Sequence, residues 1–262
     1  MAGSYKDILV FLSAGDGAPA RLDGAIALAK EHGARLTGVD VSTEAVFDSD
    51  RSERATGLQD MFEQQLQTAG LRGLFRAADR SDSAGWKALY AHYADLVIAP
   101  TVNEAEARLV LPAVPEEVLL SAGVPVLLIP DLWKPEKLGR RVVVAWNASR
   151  EATRALHDAL PLLARAEAVT LFAYDAHQAV MQEEMDLLVA HLAEHGVSAR
   201  PFTWPASSDV APIDALFSCL SEEGADLIVA GGYGRSRRLE HLFGGVSETL
   251  VNSLTVPVLM SH

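Results

Sequence analysis

The sequence of 262 residues is short of cysteine, of basic residues and of long apolar runs. Cys219 is the single cysteine, so the chain cannot form an internal disulfide, and this favours a reducing compartment such as the cytoplasm. Lys and Arg number 22 against 35 Asp and Glu, and a formal net charge of −13 argues against non-specific binding to nucleic acid or to an anionic membrane. No apolar run is long enough to cross a membrane, and the polar N-terminus is unlike a signal peptide.

Apolar residues are abundant, at 49% of the chain, and they form strands that alternate with helices. Such alternation requires crossover connections and therefore predicts parallel sheets. The order of elements starts again after a proline-containing stretch at residues 130–137. Three short segments occur twice: Glu-His-Gly from Glu31 and Glu194, Ala-Asp-Leu from Ala94 and Ala225, and Val-Pro-Val-Leu from Val124 and Val256. We predict two tandem open parallel-sheet α/β domains, residues 1–131 and 139–262, joined by a linker at 132–138.

Glycines are concentrated after a buried strand predicted at residues 226–230. They are Gly231, Gly232, Gly234, Gly244 and Gly245, and a predicted helix starts at Val246. A strand, a glycine loop and a helix start are the parts with which α/β proteins bind phosphate, through loop N–H groups and the positive end of the helix. Glycine also lets a ligand approach the backbone, because it has no Cβ. Two glycine-rich turns without a ligand are the alternative interpretation.

With these segments the chain resembles the universal stress protein family, in a tandem form, over nearly its whole length. Nucleotide-binding members of that family carry Gly-x2-Gly-x9-Gly-Ser/Thr. Gly231, Gly234 and Gly244 match the three glycines, whereas Gly245 replaces the Ser/Thr. The resemblance implies a Rossmann-like fold whose halves pair through their last strands as an intramolecular pseudo-dimer, with a homodimer also open. It further implies that ATP or a related adenine nucleotide, with or without Mg²⁺, binds in the second half.

The resemblance also implies residues beside the nucleoside. The family's aspartate falls on Asn147, its glycine on Ala148 and its serine on Ser149, and Tyr174 falls where the family uses a backbone group beside the adenine. Independently of the family, Ser149 is predicted to cap the helix that starts beside it.

The first half departs from the family pattern. Ser13 ends its first strand, and Pro100 and Pro112 stand where the second half has glycines. Proline has no N–H to offer a phosphate, and Cβ atoms crowd the place where a phosphate would bind. We predict a degenerate copy without a nucleotide site.

Basic and histidine residues offer weaker signals. Arg235 follows the glycine loop, and with the nearby Arg237 and Arg238 it is either a phosphate contact or ordinary surface. His191 and His195 flank a zinc-peptidase pattern, His-x-x-Glu-His. A catalytic zinc needs three protein ligands, and a histidine before a terminating glycine suits the negative end of a helix, so we predict no metal site.

Three functions follow from these features. The first is a stress-response regulator that binds an adenine nucleotide and signals by occupancy to an unknown protein partner, with at most slow ATP hydrolysis. The second is a nucleotide-free structural or interaction module of the same fold, favoured by Asn147 and Gly245. The third is an enzyme acting on the nucleotide. The absence of a Walker A lysine and of a base–nucleophile pair argues against it, so no catalytic residue is predicted.

Overall fold

The computed structural model describes residues 3–13, 17–41, 48–77, 90–100, 114–130, 133, 138–175, 178–205, 209–232 and 256–262. The chain divides into two compact units, Ser4–Pro135 and Glu136–His262, the second of which also includes Met1–Gly3. No helix within these ranges is both long enough and apolar enough to cross a membrane.

The N-terminal unit is a parallel sheet with helices. Its strands are β1 (Asp7–Leu12), β2 (Arg35–Asp40), β3 (Gly73–Ala77), β4 (Leu96–Pro100) and β5 (Val126–Ile129), and its described helices are α1 (Ala18–His32), α2 (Asp48–Ala69) and α3 (Val114–Ser121). The strands lie in the order β3-β2-β1-β4-β5, and every pair is parallel. β4 and β5 are buried at every position, without alternation, as expected where a sheet is covered on both faces.

The C-terminal unit repeats this arrangement. Its strands are β6 (Arg141–Ala145), β7 (Ala168–Asp175), β8 (Ala199–Pro205), β9 (Leu227–Gly231) and β10 (Val258–Ser261), and its described helices are α4 (Arg150–Leu163), α5 (Gln178–Glu194) and α6 (Pro212–Glu223). The order is β10-β9-β6-β7-β8, again all parallel. The predicted α/β class with open parallel sheets is therefore confirmed. The pairing of the two halves stays a prediction.

The recurring Ala-Asp-Leu segment has the same structural role in both units. Asp95 Oδ2 accepts hydrogen bonds from the backbone N–H groups of Lys6 (2.6 Å) and Asp7 (3.0 Å), at the start of β1. In the C-terminal unit, Asp226 accepts from the N–H groups of Arg140 (3.2 Å) and Arg141 (3.1 Å), at the start of β6. Each aspartate therefore fixes the first strand of its unit to the beginning of the strand beside it.

The two Glu-His-Gly segments do not occupy corresponding positions in the two units. The use of this segment as evidence for the repeat is therefore wrong. It ends α1, the first helix of one unit, but α5, the second helix of the other. The shared feature is the helix end. Gly33 and Gly196 both have left-handed backbone conformations, with φ of 64° and 75°, which glycine adopts without a Cβ penalty. Both helices therefore end at a glycine for the same conformational reason, although the two helices do not correspond to each other.

Most of the helices and strands predicted from the pattern of apolar residues are found at the predicted positions. The largest difference among the described helices is α2, which begins at Asp48 rather than near Arg54. The helices expected near residues 84–93 and 247–253 lie largely or wholly outside the described residues. Cys219, predicted to be a core residue, is buried in α6, and burial raises the pKa of its thiol to about 11.

Candidate functional site

The candidate site lies where the strand order of the C-terminal unit reverses. From β6 the chain proceeds to β7 and β8 on one side, and then to β9 and β10 on the other. Ala145 near the end of β6 pairs with Ala230 near the end of β9. In open α/β sheets ligands bind in the crevice outside the carboxyl ends of the strands at such a reversal. Among the predicted site residues, Asn147 and Ser149 follow β6 and Gly231 ends β9, so all three lie at this edge of the sheet.

Five predicted residues can be located and five cannot. Asn147, Ser149, Tyr174, Gly231 and Gly232 are within the described residues. The remaining five, Gly234, Arg235, Gly244, Gly245 and Val246, lie outside them.

The turn between β6 and α4 is held by its own side chains. Asn147 Oδ1 accepts a hydrogen bond from the N–H of Ser149 (3.2 Å), and Ser149 Oγ accepts from the N–H of Ala152 (3.1 Å). The prediction that Ser149 caps the helix is therefore confirmed. Both side chains already have backbone partners within the turn.

Ala148, between these two residues, has a φ of 55°. It is the only non-glycine residue of the described chain with a positive φ. A left-handed conformation costs an L-residue about 1–2 kcal/mol, and glycine avoids this cost. The turn thus explains why a glycine suits this position, and this chain tolerates alanine there at an energetic cost.

Gly231 ends β9 directly against the first turn of α4. A Cβ placed on Gly231 would lie 2.5 Å from the backbone nitrogen of Ala152 and 2.6 Å from the carbonyl carbon of Glu151. These distances are far below van der Waals contact, so only glycine lets strand and helix approach this closely. The close packing of β9 against α4 therefore explains the glycine at position 231 without a bound ligand.

Gly232 is bonded to the neighbouring strand. Its N–H donates to the carbonyl oxygen of Ser261 (2.8 Å), and its own carbonyl oxygen accepts from His262 Nδ1 (3.1 Å). The sequence had predicted that this N–H holds a phosphate. The structure corrects that detail, because the N–H extends the ladder between β9 and β10 instead.

Tyr174 lies near the end of β7, which neighbours β6, and so reaches the same edge of the sheet as Asn147. Its hydroxyl donates to the carbonyl oxygen of Val210 (2.7 Å). This bond ties the end of β7 to the residues that precede α6.

Ser261, at the end of β10, also reaches this edge, although the sequence offered no sign of it. The buried hydroxyl of Ser261 donates to Asp158 Oδ2 (2.9 Å), and the same oxygen accepts from Arg154 Nε (2.8 Å). The pairing of β10 with β9 brings Ser261 opposite Gly231. The position of Ser261 beside Gly231 follows from the strand order and is not apparent from the sequence.

Two further residues between the end of β6 and the first turn of α4 are largely enclosed. Trp146, directly after β6, has a buried Nε1 without a hydrogen-bond partner in the described part of the chain. Glu151, in the first turn of α4, is 8% exposed. Glu151 stands four residues before Ala155 on the buried face of α4. In the sequence, Glu151 stands at the helical spacing of the apolar residues of α4. This signal of its burial was missed in the prediction of the site.

The corresponding edge of the N-terminal unit is filled by a side chain. Arg21 of α1 is fully buried, and its Nε donates to the carbonyl oxygen of Phe11 near the end of β1 (3.1 Å). Its Nη2 lies 3.5 Å from the hydroxyl oxygen of the buried Ser13. A guanidinium group therefore binds the strand end, in keeping with the prediction of a degenerate copy.

The histidines of the zinc-peptidase pattern form part of a surface cluster. His191 lies between His157 of α4 and His195, with ring centroids 5.2 Å and 4.9 Å apart. Burial and the two neighbouring histidines lower the pKa of His191. Over the described ranges no group of three or more His, Cys, Asp or Glu side chains is arranged to hold a metal ion.

The fold and its site define an α/β protein of the Rossmann-like class. The sequence model of the universal stress protein family matches residues 209–262, which include α6, β9 and β10. No curated protein sequence matches the chain.

Similar structures extend the likeness to nearly the whole chain. A universal stress protein from Archaeoglobus fulgidus has 17% sequence identity and a TM-score of 0.72, with 97% of both chains covered. A functionally unknown protein from Pseudomonas aeruginosa has 18% identity and a TM-score of 0.57, with 97% of this chain and 92% of that chain covered. The resemblance to the universal stress protein family is therefore confirmed over residues 209–262 by the family's sequence model, and over the rest of the chain the similar structures show the fold.

Proposed function

We propose that the C-terminal unit binds ATP or a related adenine nucleotide and that the protein is a stress-response regulator rather than an enzyme. The observation that carries this proposal is the convergence of the ends of β6 and β9 with the N-terminus of α4 at the reversal of strand order. The first N–H groups of a helix have no partner within the helix, and with the helix dipole they favour an anion. Occupancy of the site would be the signal, and an unidentified protein partner would receive it in the cytoplasm.

The glycine-rich segment supplies the second part of the proposed site. Gly231 brings the end of β9 against α4, so the chain that continues from Gly232 starts beside the helix N-terminus. We assign the phosphate contacts to backbone N–H groups of Gly234, Gly244 and Gly245 and of the helix start at Val246, with Arg235 as a charged donor. Asn147, Ser149 and Tyr174 border the nucleoside.

A nucleotide-free interaction module is the second candidate. It is favoured by the structural roles that the described residues already have. Gly231 is explained by packing, the N–H of Gly232 is bonded to Ser261, and Asn147 is engaged in its own turn. Under this alternative the arrangement of the strand ends would serve the fold alone.

Calorimetric titration of the full chain with ATP and Mg²⁺ distinguishes the two candidates. We expect no more than one site per chain, since Arg21 fills the strand end of the N-terminal unit. A stoichiometry near two would contradict the degenerate copy, and no detectable binding would leave the interaction module as the function. Absorbance of the denatured protein would reveal any nucleotide that co-purifies.

Variants of the glycine-rich segment test how phosphate is held. Gly244→Val would place branched carbon beside the phosphates and should weaken ATP binding at least about tenfold, or about 1.4 kcal/mol. Gly245→Ser, which restores the family's hydroxyl, should leave affinity equal or tighter. Gly57→Val on the exposed surface of α2, where a Cβ meets nothing within 4 Å, is the matched control and should not change affinity. Unchanged ATP affinity in a well-folded Gly244→Val variant would contradict the assignment of the phosphate contacts to this segment.

A further inference from the structure

Trp146 Nε1 and Thr203 Oγ1 form an enclosed pair of polar groups in the C-terminal unit. Neither atom has a hydrogen-bond partner in the described part of the chain. Trp146 directly follows β6, and Thr203 lies within β8. Most enclosed polar groups of proteins are bonded to the protein or to ordered water, because an enclosed donor without an acceptor costs free energy. The enclosed pair therefore needs an explanation that the protein atoms alone do not supply.

The strand register places the enclosed pair at one level of the sheet. The backbone N–H of Trp146 donates to the carbonyl oxygen of Phe172 (2.7 Å), which continues the parallel ladder by one residue beyond Ala145 and sets Trp146 opposite Ala173. Ala173 is in turn paired with Thr203. Trp146, Ala173 and Thr203 therefore lie side by side on three successive strands.

All three side chains point to the same face of the sheet, because residues paired across parallel strands share a face. The rings of the paired Phe172 and Phe202 show this relation on the other face, with centroids 6.2 Å apart. Thr170, on the face of these two rings, donates to Glu223 of α6 (3.1 Å), so α6 covers that face. The right-handed crossovers through α5 and α6 run in opposite directions along the sheet, so α5 covers the face of the enclosed pair.

A small side chain separates the enclosed pair. Ala173 lies between Trp146 and Thr203, is fully buried, and contributes only a methyl group. The Cα atoms of Trp146 and Thr203 are two strand spacings apart, about 9.5 Å. An indole group directed along the sheet shortens this gap towards the span of two consecutive hydrogen bonds, about 5.6 Å. Buried water molecules bond to two or more polar groups that would otherwise be unsatisfied, which is the situation here.

We infer that an internal water molecule binds above Ala173, accepts a hydrogen bond from Trp146 Nε1 and bonds to Thr203 Oγ1. The indole N–H can only donate, whereas the hydroxyl can donate or accept, so one water satisfies both groups. The water joins β6 to β8, two strands that have no hydrogen bonds to each other because β7 lies between them. It thereby supports the end of β6, from which the turn at Asn147 starts. This inference does not depend on the proposed nucleotide site.

Nuclear magnetic resonance of the ligand-free full chain tests for the water. The indole N–H signal of Trp146, assigned by its loss in Trp146→Phe, should show a nuclear Overhauser effect with water, because a bound water stays close to this proton. Thr203→Val removes one of the two partners and should weaken or abolish the effect. Thr37→Val makes the same change at a half-buried position of β2 and is the matched control, which should leave the effect unchanged. A Trp146 indole proton without contact to water would overturn the inference.

Urea unfolding of the same variants gives an independent measure. Thr203→Val nearly conserves the shape of the side chain. If its hydroxyl is bonded to the water, its removal should raise the equilibrium constant for unfolding about fivefold or more. Removal of an enclosed hydroxyl that has no partner would leave this constant unchanged or lower it. A Thr203→Val variant at least as stable as the wild-type protein would therefore contradict the bound water.

A double-mutant cycle tests whether one water serves both groups. Trp146→Phe and Thr203→Val together should raise the unfolding constant by less than the product of their separate fold changes, because either change alone disrupts the bridge. Trp133→Phe, at a buried position of the N-terminal unit, is the control, and its fold change should multiply with that of Thr203→Val. Fold changes that multiply for Trp146→Phe as well would mean that the two groups have separate partners, and would overturn the shared water.

Discussion

The carboxylate of Asp226 accepts a hydrogen bond from the backbone N–H of Arg141, at 3.1 Å, although the two residues are 85 positions apart in the chain. The N–H of Asp226 in turn donates to the carbonyl oxygen of Arg141 (2.9 Å). Asp95 and Asp7 make the same reciprocal pair of bonds in the N-terminal unit, at 3.0 Å and 2.8 Å. One aspartate in each unit thereby sets the register between the first strand and its neighbour.

Removal of this carboxylate should destabilise the C-terminal unit. Asp226→Ala leaves the N–H groups of Arg140 and Arg141 without their acceptor, which should cost about 1–3 kcal/mol of unfolding free energy. Asp226→Asn keeps one acceptor oxygen and should cost less. Urea denaturation midpoints measure both effects. Asp60→Ala, at an exposed position of α2, is the control and should change stability by no more than about 0.5 kcal/mol.

A methyl group on Gly231 should destabilise the protein before any ligand is added. Gly231→Ala places a Cβ 2.5 Å from the backbone nitrogen of Ala152, and the strand and helix must separate to accept it. We expect a loss of about 1–3 kcal/mol in the ligand-free protein, measured by thermal or urea unfolding. Gly57→Ala in α2 has open space around its Cβ and should be neutral or stabilising. Wild-type stability of Gly231→Ala would contradict the close packing.

Glycine at position 148 should stabilise the turn after β6. Ala148 has a φ of 55°, and Ala148→Gly removes its steric cost. The greater freedom of glycine in the unfolded chain offsets part of the gain, so the net increase should be about 0.5 kcal/mol. Ala193→Gly in the exposed part of α5 should have the opposite sign, because glycine weakens a helix. A loss of stability in Ala148→Gly would show that the left-handed conformation is not present in solution.

Acid should destabilise the protein through His191. Burial and the neighbouring His157 and His195 lower the pKa of His191 below its ordinary value, so the unfolded chain binds a proton more readily than the folded chain. The contribution of His191 is therefore fully present above about pH 6.5 and is lost as the pH falls through the lowered pKa.

Unfolding midpoints at neutral pH and near pH 5 measure this effect. His191→Gln should lose less stability on acidification than the wild-type protein does. His92→Gln, in the N-terminal unit, is the control and should follow the wild-type profile. An identical acid response of His191→Gln and wild type would refute the contribution of the cluster.

The local pattern of the sequence was enough to predict most of the elements and several of their ends. Buried strands appear as short apolar runs without alternation, Ser149 precedes a helix that it caps, and Gly33 terminates one. These features depend on residues within one turn or one strand of each other, so the physical chemistry that selects them is present in the sequence itself. The family resemblance likewise depended on short segments, and the family's sequence model matches those of the C-terminal residues 209–262.

Tertiary structure alone decided what these elements do at the candidate site. Gly231 needs to be glycine because α4 lies against it, and the hydroxyl of Ser261 meets Asp158, 103 positions earlier in the chain. Arg21 fills the strand end of the N-terminal unit, and Glu151 is buried beside β9. Each of these facts follows from the order of the strands. That order depends on how crossover helices return the chain to the sheet, and no short segment of sequence records it.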